Sequence, residues 1–528
     1  MAEDLPVELW LYILSFLPRS AVRKLIGVSR LLFEMALDDI YEEIRFIADD
    51  EEMHKTFRQL KYKGIARRVH HLYIRPAFFP SAEEGPNAIV DTTPPDHKVS
   101  HFRKWFSHHT KSTIIAPLRP TAPLGILHEA TEAIANCPSL RELTIVLHDH
   151  AIPPSFGPFL TTLWRTIGSN LRRLDLELTP AKIPFVFEVL KSSDPSVNLP
   201  NLEDLHLTLA ITRFTGPSSA TLGKAVVADL LPLMSLLRPT LRSLNLVSPS
   251  SLNLSPLFEK LEKFPLLQGF ALAVPFSMAT VSKQESFTGF LRLHKDTLKS
   301  FSIRPYTAYT GFNYSDASYE AWISPPSQTI DNSRASPDVS FCSLNFPELE
   351  RLEISCKVRS YHYQNQGVAL DLSKIGSSCL TEVILADLVI PVDQQLEMLK
   401  SLARVAAETL RVLVFGINFL RPEVVDFMAD KFRKLRRLEL EYMQVMERNA
   451  PMQPAFTGVA DYSSARKINF TTEMSKKKYR HWNVKYLRCG VWRDSCKAYH
   501  PDMGVAMTVG QTFPEMPEID SSSKCFCY

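Results

Sequence analysis

The residues best suited to chemistry in this chain are its closely spaced histidines: His70-His71, His108-His109, and His148 with His150. Imidazoles at such spacings could hold a transition metal if further ligands stood nearby. The first pair abuts a strand pattern, the second lies in a loop, and no third ligand has a suitable spacing, so solvated surface histidines account for them. The eight cysteines are Cys137, Cys342, Cys356, Cys379, Cys489, Cys496, Cys525 and Cys527. They are scattered, mostly beside apolar residues, and form no pair of CxxC ligand sets, which reads as free buried thiols in a reducing compartment. Gly223-Lys224 lacks the remainder of a phosphate-binding GxxxxGK[ST] loop. HExxH and GxSxG are absent. The run Lys476-Lys-Lys-Tyr-Arg-His481 reads as a solvated charge run rather than a nuclear-localisation or phosphate patch. An enzyme on an α/β fold would need a pocket with convergent titratable groups, and none is indicated. The expectation is a non-enzyme without cofactor or metal, whose function lies in its surfaces.

Bulk properties narrow those surfaces. With 528 residues, 45% of them hydrophobic, the chain can bury a large core. That length fits two to four ordinary domains, or one small domain plus a repeat array. Sixty basic residues against 57 acidic leave a formal charge of +3, which argues against nucleic acid as the main partner. Glu3 and Asp4 stand where a secretory signal would be basic. No run of 18 apolar residues occurs; the richest stretch, Val226 to Leu237, is broken by Asp229 and Pro232. A soluble cytoplasmic or nuclear protein without membrane contact is expected.

The elements come next, beginning at residue 5. Leu5-Pro6-Val7-Glu8-Leu9 opens a helix on which Leu9, Ile13, Phe16 and Leu17 form one apolar stripe. Pro18 stops it. Ser20 is placed to cap a second helix carrying Val22, Leu25 and Ile26, and Ser29 a third carrying Leu31, Leu32, Met35 and Ala36. Three helices this short cannot hide their apolar edges alone, so they need a partner or the rest of the chain. The ordered set Leu5, Pro6, Glu8, Leu9, Ile13, Leu14, Leu17, Pro18, Leu25, Val28 and Ser29 resembles an F-box. It departs in the third helix, where many F-boxes carry Trp and this chain has Leu32 and Phe33. The resemblance implies docking of a Skp-type adaptor through those residues, and so membership of a cullin-RING ubiquitin ligase.

Beyond residue 60 an L-x-x-L-x-L pattern recurs. It runs from Val69-Leu72-Ile74 through Leu140-Leu143-Ile145, Leu171-Leu174-Leu176 and Leu202-Leu205-Leu207 to Leu435-Leu438-Leu440. From Leu140 most anchors lie 25 to 31 residues apart, with irregular steps of 39 and 51. A short strand joined by a variable, often helical, linker is the mark of a leucine-rich repeat. Helical linkers are expected at 124–135, 184–191, 224–237 and 392–410. One such unit cannot bury its own apolar face, whereas stacked units share a core. The regular Asn of the leucine-rich family is missing after the third leucine, so the repeats resemble the degenerate ones of fungal F-box proteins. The fold class expected is α/β: a short three-helix F-box at 1–47, then a leucine-rich-repeat-like α/β solenoid at 60–445. Inserts are expected at 76–123 and 304–347, and a C-terminal cap with a partly disordered tail at 446–528. An α/β domain with alternating strands and helices is the alternative.

Residues between the leucines share the other face of each strand. There Ile384, Val412 and Val414 are apolar, rimmed by Arg351, Glu353, Arg437 and Glu439. These seven are the candidate target-binding residues, since an apolar patch with a charged rim suits a protein partner. Alternatively the 304–347 insert, with Phe312, Tyr314, Tyr319 and Trp322, folds over them. Together with the F-box resemblance, this implies a substrate-recognition subunit of a Skp-cullin-F-box ligase. A scaffold that binds the adaptor without promoting ubiquitination is the alternative function.

Overall fold

A computed structural model describes residues 6–17, 21, 27–79, 124–147, 151–191, 199–210, 219–248, 252–275, 283–305, 344–355, 372–386, 390, 392–448, 461–493 and 498–520. The chain divides into two compact units, Met1–Asn201 and Leu202–Tyr528. Both are mixed α/β, built on parallel sheets in which every described L-x-x-L-x-L segment has become a strand.

The first unit contains α1 (Val7–Ser15), α2 (Arg30–Tyr41), β1 (Glu43–Phe46), α3 (Glu51–Gln59), α4 (Lys63–Ala66), β2 (His71–Ile74), α5 (Leu124–Ile134), β3 (Glu142–Val146), α6 (Phe156–Ile167), β4 (Arg173–Leu178) and α7 (Ile183–Lys191). Strands β1 to β4 lie side by side in chain order, all parallel. Their register aligns Ile44, Leu72, Leu143 and Leu174 in one row and Phe46, Ile74, Ile145 and Leu176 in the next. All eight side chains are buried. Phe57 of α3 and Phe159 of α6 pack on Phe46 from the helix side. His54 ties α3 to α5, facing Glu129 at 2.9 Å and Asp49 at 3.0 Å. The hydrogen bond to Glu129, above all, raises its pKa. Strand β1 was not indicated by the sequence pattern, because its two apolar residues, Ile44 and Phe46, lack a preceding leucine anchor.

The second unit contains β5 (Asp204–Leu209), α8 (Ser219–Leu237), β6 (Ser243–Val247), α9 (Ser255–Lys260), β7 (Gly269–Val274), α10 (Gln284–His294), β8 (Ser300–Pro305), β9 (Arg351–Ile354), β10 (Glu382–Leu385), α11 (Val392–Ala406), β11 (Val412–Leu420), α12 (Pro422–Lys431), β12 (Arg437–Val445), α13 (Asp461–Ser475), β13 (Tyr486–Arg493), β14 (Ala498–Pro501), α14 (Met503–Gly510) and β15 (Glu518–Ile519). From β5 to β13 the strands again follow chain order and run parallel, and the sheet does not close. One apolar row passes through Leu205, Leu244, Phe270, Phe301, Leu352, Val383, Leu413, Leu438 and Leu487. At the far edge β15 pairs parallel with β13 at residues 486–487, and β14 pairs antiparallel with it at 490–493. The two short strands cap an edge that would otherwise expose unpaired backbone groups.

Two devices hold the register from step to step. The carbonyl before each strand accepts two successive amides of the next repeat: Arg141 O takes Arg172 and Arg173 N–H, Lys299 O takes Glu350 and Arg351, and Arg411 O takes Arg436 and Arg437. A polar side chain just upstream of the strand also donates to the preceding repeat. Asn170 Nδ2 reaches Pro138 O at 3.1 Å, Asn201 Nδ2 reaches Ser169 O, Ser377 Oγ reaches Leu349 O, and Thr409 Oγ1 reaches Leu380 O at 2.7 Å. The missing ladder is thus present, moved ahead of the first leucine and spread over Asn, Ser and Thr.

The steps of irregular length keep the same register. Between β8 and β9, 51 residues apart in anchor spacing, Phe301 still faces Leu352. Residues 306–343 of the 304–347 insert and 80–123 of the 76–123 insert lie outside the described residues. Among the described cysteines, Cys137 and Cys489 are buried as expected, whereas Cys379 is exposed.

His294 is a fully buried polar group at the end of α10. Its Nδ1 faces Phe290 O at 2.8 Å, and its Nε2 accepts the backbone N–H of Phe264 at 2.9 Å. That pattern requires the neutral ring protonated at Nδ1. Burial, aided by the nearby Lys263 cation, lowers its pKa despite the Phe290 bond. A base with a depressed folded pKa binds fewer protons folded than unfolded between the two values. Its contribution is therefore complete above pH about 6.5, the ordinary histidine value, and falls away as pH drops below it. Denaturant midpoints are to be measured from pH 8 to pH 5 for the native chain and for His294→Gln, because His54, with its raised pKa, contributes in the opposite direction in both. The difference between native chain and His294→Gln should shrink over the same range.

Candidate interaction surfaces

Two surfaces draw attention: the N-terminal helices of the first unit, and one sheet face of the second.

Helix α1 opens where Leu9 N–H and Trp10 N–H both bond Pro6 O. Proline suits such a first turn, having no N–H to leave unsatisfied. At 100° per residue, Tyr12, Leu9 and Ile13 of α1 fall on one arc, and Phe16 and Leu17 follow just past its last residue, with Phe16 N–H bonded to Ile13 O at 3.2 Å. All five are exposed: Phe16 at 69%, Tyr12 at 64%, Leu9 at 48%, Ile13 at 43% and Leu17 at 37%. The Tyr12 and Phe16 rings meet edge to face, 4.9 Å apart. Val28 is exposed as well, while Pro6 and Glu8 sit exposed at the start of the helix. Ser29 performs the capping role its type suggests, its Oγ accepting Leu32 N–H at 3.2 Å at the start of α2. Leu5, Pro18 and Leu25 lie outside the described residues, as do Ser20 and nearly all of the second expected helix. The side chain of Leu14 is likewise not described.

Helix α2 is fastened to the sheet unit. Leu32 and Ala36 are buried on its inner side. Arg68, at the end of the short helix α4, reaches it with a guanidinium only 8% exposed. Its Nε donates to Gly64 O at 3.0 Å and its Nη1 to Glu34 O at 3.0 Å. The same fork also engages the Asp38 and Glu34 carboxylates. A second tie runs from Tyr41 Oη to Gln59 Oε1 at 2.9 Å. Only a planar fork of donors satisfies four acceptors at once. Arg68→Ala should therefore destabilise the first unit by about 1–2 kcal/mol, since the guanidinium's hydrogen bonds are lost while the Glu34 and Asp38 carboxylates stay in reach of water. Arg68→Lys should recover only part of that loss. Hydrogen exchange across 30–41 is the measurement: α2 amides should exchange faster in both variants.

In the second unit, the seven candidate target-binding residues come together on the face opposite the helices. One row of that face reads Ser300, Arg351, Glu382, Val412, Arg437 and Tyr486. The next reads Ser302, Glu353, Ile384, Val414, Glu439 and Arg488. Ile384 and Val412 are half-buried, and Val414 is buried. The rim charges are engaged within the chain. Glu353 is buried and accepts Ser302 Oγ at 3.1 Å and the Arg304 guanidinium. Arg351 lies 3.6 Å from Glu353 and 3.5 Å from Glu382. Arg437 donates through Nε to Glu439 Oε1 at 2.9 Å, which raises its pKa, and its guanidinium lies 4.7 Å above the Tyr486 ring.

Beneath them lies Arg488, 1% exposed, whose Nη1 donates to Glu439 Oε2 at 3.2 Å and to Glu441 Oε1 at 3.3 Å. Arg304, Glu382, Glu441 and Arg488 complete a set of four arginines and four glutamates. Sequence reasoning missed the role of Arg488, because the last strand carries no full leucine pattern to place it on this face. Alternation from Leu487 inward was the signal that could have found it.

The arrangement is charge-balanced, a lattice of ion pairs with a few apolar side chains between, although Nε and Nη2 of the buried Arg488 find no hydrogen-bond partner. Removing one member leaves its partners as uncompensated buried charge. Arg488→Ala should lower the stability of the second unit by about 3–5 kcal/mol, whereas Arg304→Ala, mostly exposed, should cost about 1 kcal/mol or less. Urea denaturation of the two variants checks the order.

Among the described residues, no group of three or more histidine, cysteine or acidic side chains is arranged to hold a metal ion, and no helix is long and apolar enough to cross a membrane. No family model matches the chain, and no curated protein does. Among solved structures it is similar to one chain of the crystal structure of the Rad7 and Elc1 complex in yeast. The identity is 14% and the TM-score 0.35, over 74% of this chain and 78% of that one.

Proposed function

We propose that this chain is the substrate-recognition subunit of a Skp-cullin-F-box ubiquitin ligase, its N-terminal helices docking the adaptor and its leucine-rich-repeat-like sheet holding a protein target. The observation that carries the reading is the apolar face of α1. Elsewhere in the described chain large apolar residues are mostly buried, yet here three residues of one helical arc, and the two that follow the helix, stand in solvent. A patch of that kind marks a protein interface, and its aromatic pair has the composition of an interface centre. The F-box motif falls on these same residues through Leu9, Ile13 and Leu17.

In this reading ubiquitin transfer is the work of other subunits, and the chain contributes position. Holding a target beside the conjugating machinery raises its effective concentration without any catalytic residue here. The Arg68 fork is compatible with such a role, since it fastens α2 to the sheet of the first unit. The balanced lattice around Glu353 and Glu439 gives the target-bearing sheet a stiff face. We propose the cytoplasm or nucleus as the compartment of that work.

Deleting residues 1–47 is a poor test, because β1 at 43–46 belongs to the sheet and its loss would strip the edge of β2. Surface substitutions are cleaner. Leu9→Asp with Phe16→Asp, both on exposed sites, should leave the denaturation midpoint within about 1 kcal/mol of native. Co-purification with a Skp-type adaptor should fall by at least about a hundredfold, the scale for losing two central anchors. Equal capture of the adaptor by native and doubly substituted chains would sink the proposal. Adaptor capture with unchanged turnover of every bound protein would leave the scaffold reading.

A further inference from the structure

The N-terminal edge of the second unit's sheet changes character along its length. The residues immediately before the strands line this edge, fixed there by the paired amide bonds to each preceding carbonyl. Arg411 N–H bonds Thr381 O at 2.8 Å, Arg436 N–H bonds Arg411 O at 2.8 Å, and Lys485 N–H bonds Arg436 O at 2.8 Å. Residues 411, 436 and 485 therefore stand in a line, one strand spacing of about 4.8 Å apart. Earlier on the edge the cations are neutralised: Arg242 faces Glu203 at 3.7 Å, and Lys299 faces Glu350 at 3.0 Å.

From β11 onward that pairing lapses. The turn before β12 reads Lys431-Phe-Arg-Lys-Leu-Arg-Arg437, five cations in seven residues. Phe432 and Leu435 are both fully buried, which turns the charged residues between them outward. Lys431 pairs with Asp430, Arg437 with Glu439 and Lys485 with Glu515. Among the described residues no carboxylate lies within ion-pair distance of Arg411, Arg433, Lys434 or Arg436. Arg436 reaches only the Asn483 carbonyl at 3.4 Å, and Arg433 feels Asp430, whose carboxylate Lys431 already holds. All four are exposed.

We propose that this edge, Arg411, Arg433, Lys434 and Arg436, is a docking strip for an acidic, carboxylate-rich segment of a partner protein. Four crowded cations repel one another, and an external row of anions removes that repulsion. Arg411 and Arg436 stand on adjacent strands of the edge, and Arg433 and Lys434 extend the cations along the turn that leads into Arg436. Cations carried on two adjacent strand entrances suit several separate carboxylates of one segment. This strip lies on a different unit from the α1 face, and the proposal stands apart from the adaptor reading.

The test uses the full chain and a fluorescein-labelled peptide of alternating glutamate and serine, followed by anisotropy at low and moderate salt. Binding should be clear at low salt and weaken as salt screens it. Arg411→Gln with Arg436→Gln should weaken it by about tenfold or more, while Arg242→Gln, at an already paired position, should change it by less than about twofold. Denaturation midpoints confirm that each variant is folded; if the double variant is not, Arg436→Gln alone serves. Equal binding by native chain and Arg436→Gln would overturn the strip, as would no binding at low salt. Tighter binding of a single-stranded RNA, an anionic vesicle or an otherwise neutral monophosphorylated peptide would overturn the choice of partner. Adaptor capture on the same preparations tells failure here from failure of the N-terminal reading.

Discussion

Everything in both units hangs on one repeated contact, the carbonyl that accepts two successive amides from the next repeat. Parallel strands need their register set from outside the ladder, because their long connections leave it loose. Here it is set at the strand entrance, and the Asn, Ser and Thr side chains reinforce it one residue away. Once the entrance is fixed, alternation does the rest: leucines stack into inner rows and the intervening residues stack into outer ones. A slip of a single residue at any step would send a row of leucines into water and bring arginines and glutamates into the core.

That constraint explains why so much of the fold was legible. The leucine spacing announced the strands from β2 to β12, and the helical linkers expected at 124–135, 184–191, 224–237 and 392–410 are the helices 124–134, 183–191, 219–237 and 392–406. The strands that escaped share one cause, a lack of local periodicity. Strand β1 has two apolar positions and no anchor. Strands β14 and β15 are four and two residues long and exist only because β13 offers them an edge. The polar ladder was overlooked because it is a role filled by three residue types, and only its carbonyl partners one repeat back reveal it.

The sites were legible in a different way. Alternation placed Arg351, Glu353, Ile384, Val412, Val414, Arg437 and Glu439 on one face, and they are neighbours there. Their electrostatic condition was not readable, because it depends on which glutamate each arginine meets across strands separated by some thirty to fifty residues. A list of facing residues separates a rim awaiting a partner from a set of groups already paired in charge only when Arg304, Glu382, Glu441 and Arg488 are added. The exposed arc of α1 was visible from the start as an amphipathic stripe. What the sequence could not say is whether the rest of the chain covers it.

The cap on β13 gives the second unit a finished end, whereas β1 of the first unit is hydrogen-bonded on one side only, to β2, among the described residues. In a stack where each layer leans on its neighbour, loosening starts at an unfinished end. Helix α2 leads straight into that strand, and Arg68 pins the helix in place. Whatever settles on the N-terminal helices therefore also weighs on the first layer of the stack, so occupancy there would be felt as firmness in the layers behind it. An interface at this end acts as a bookend.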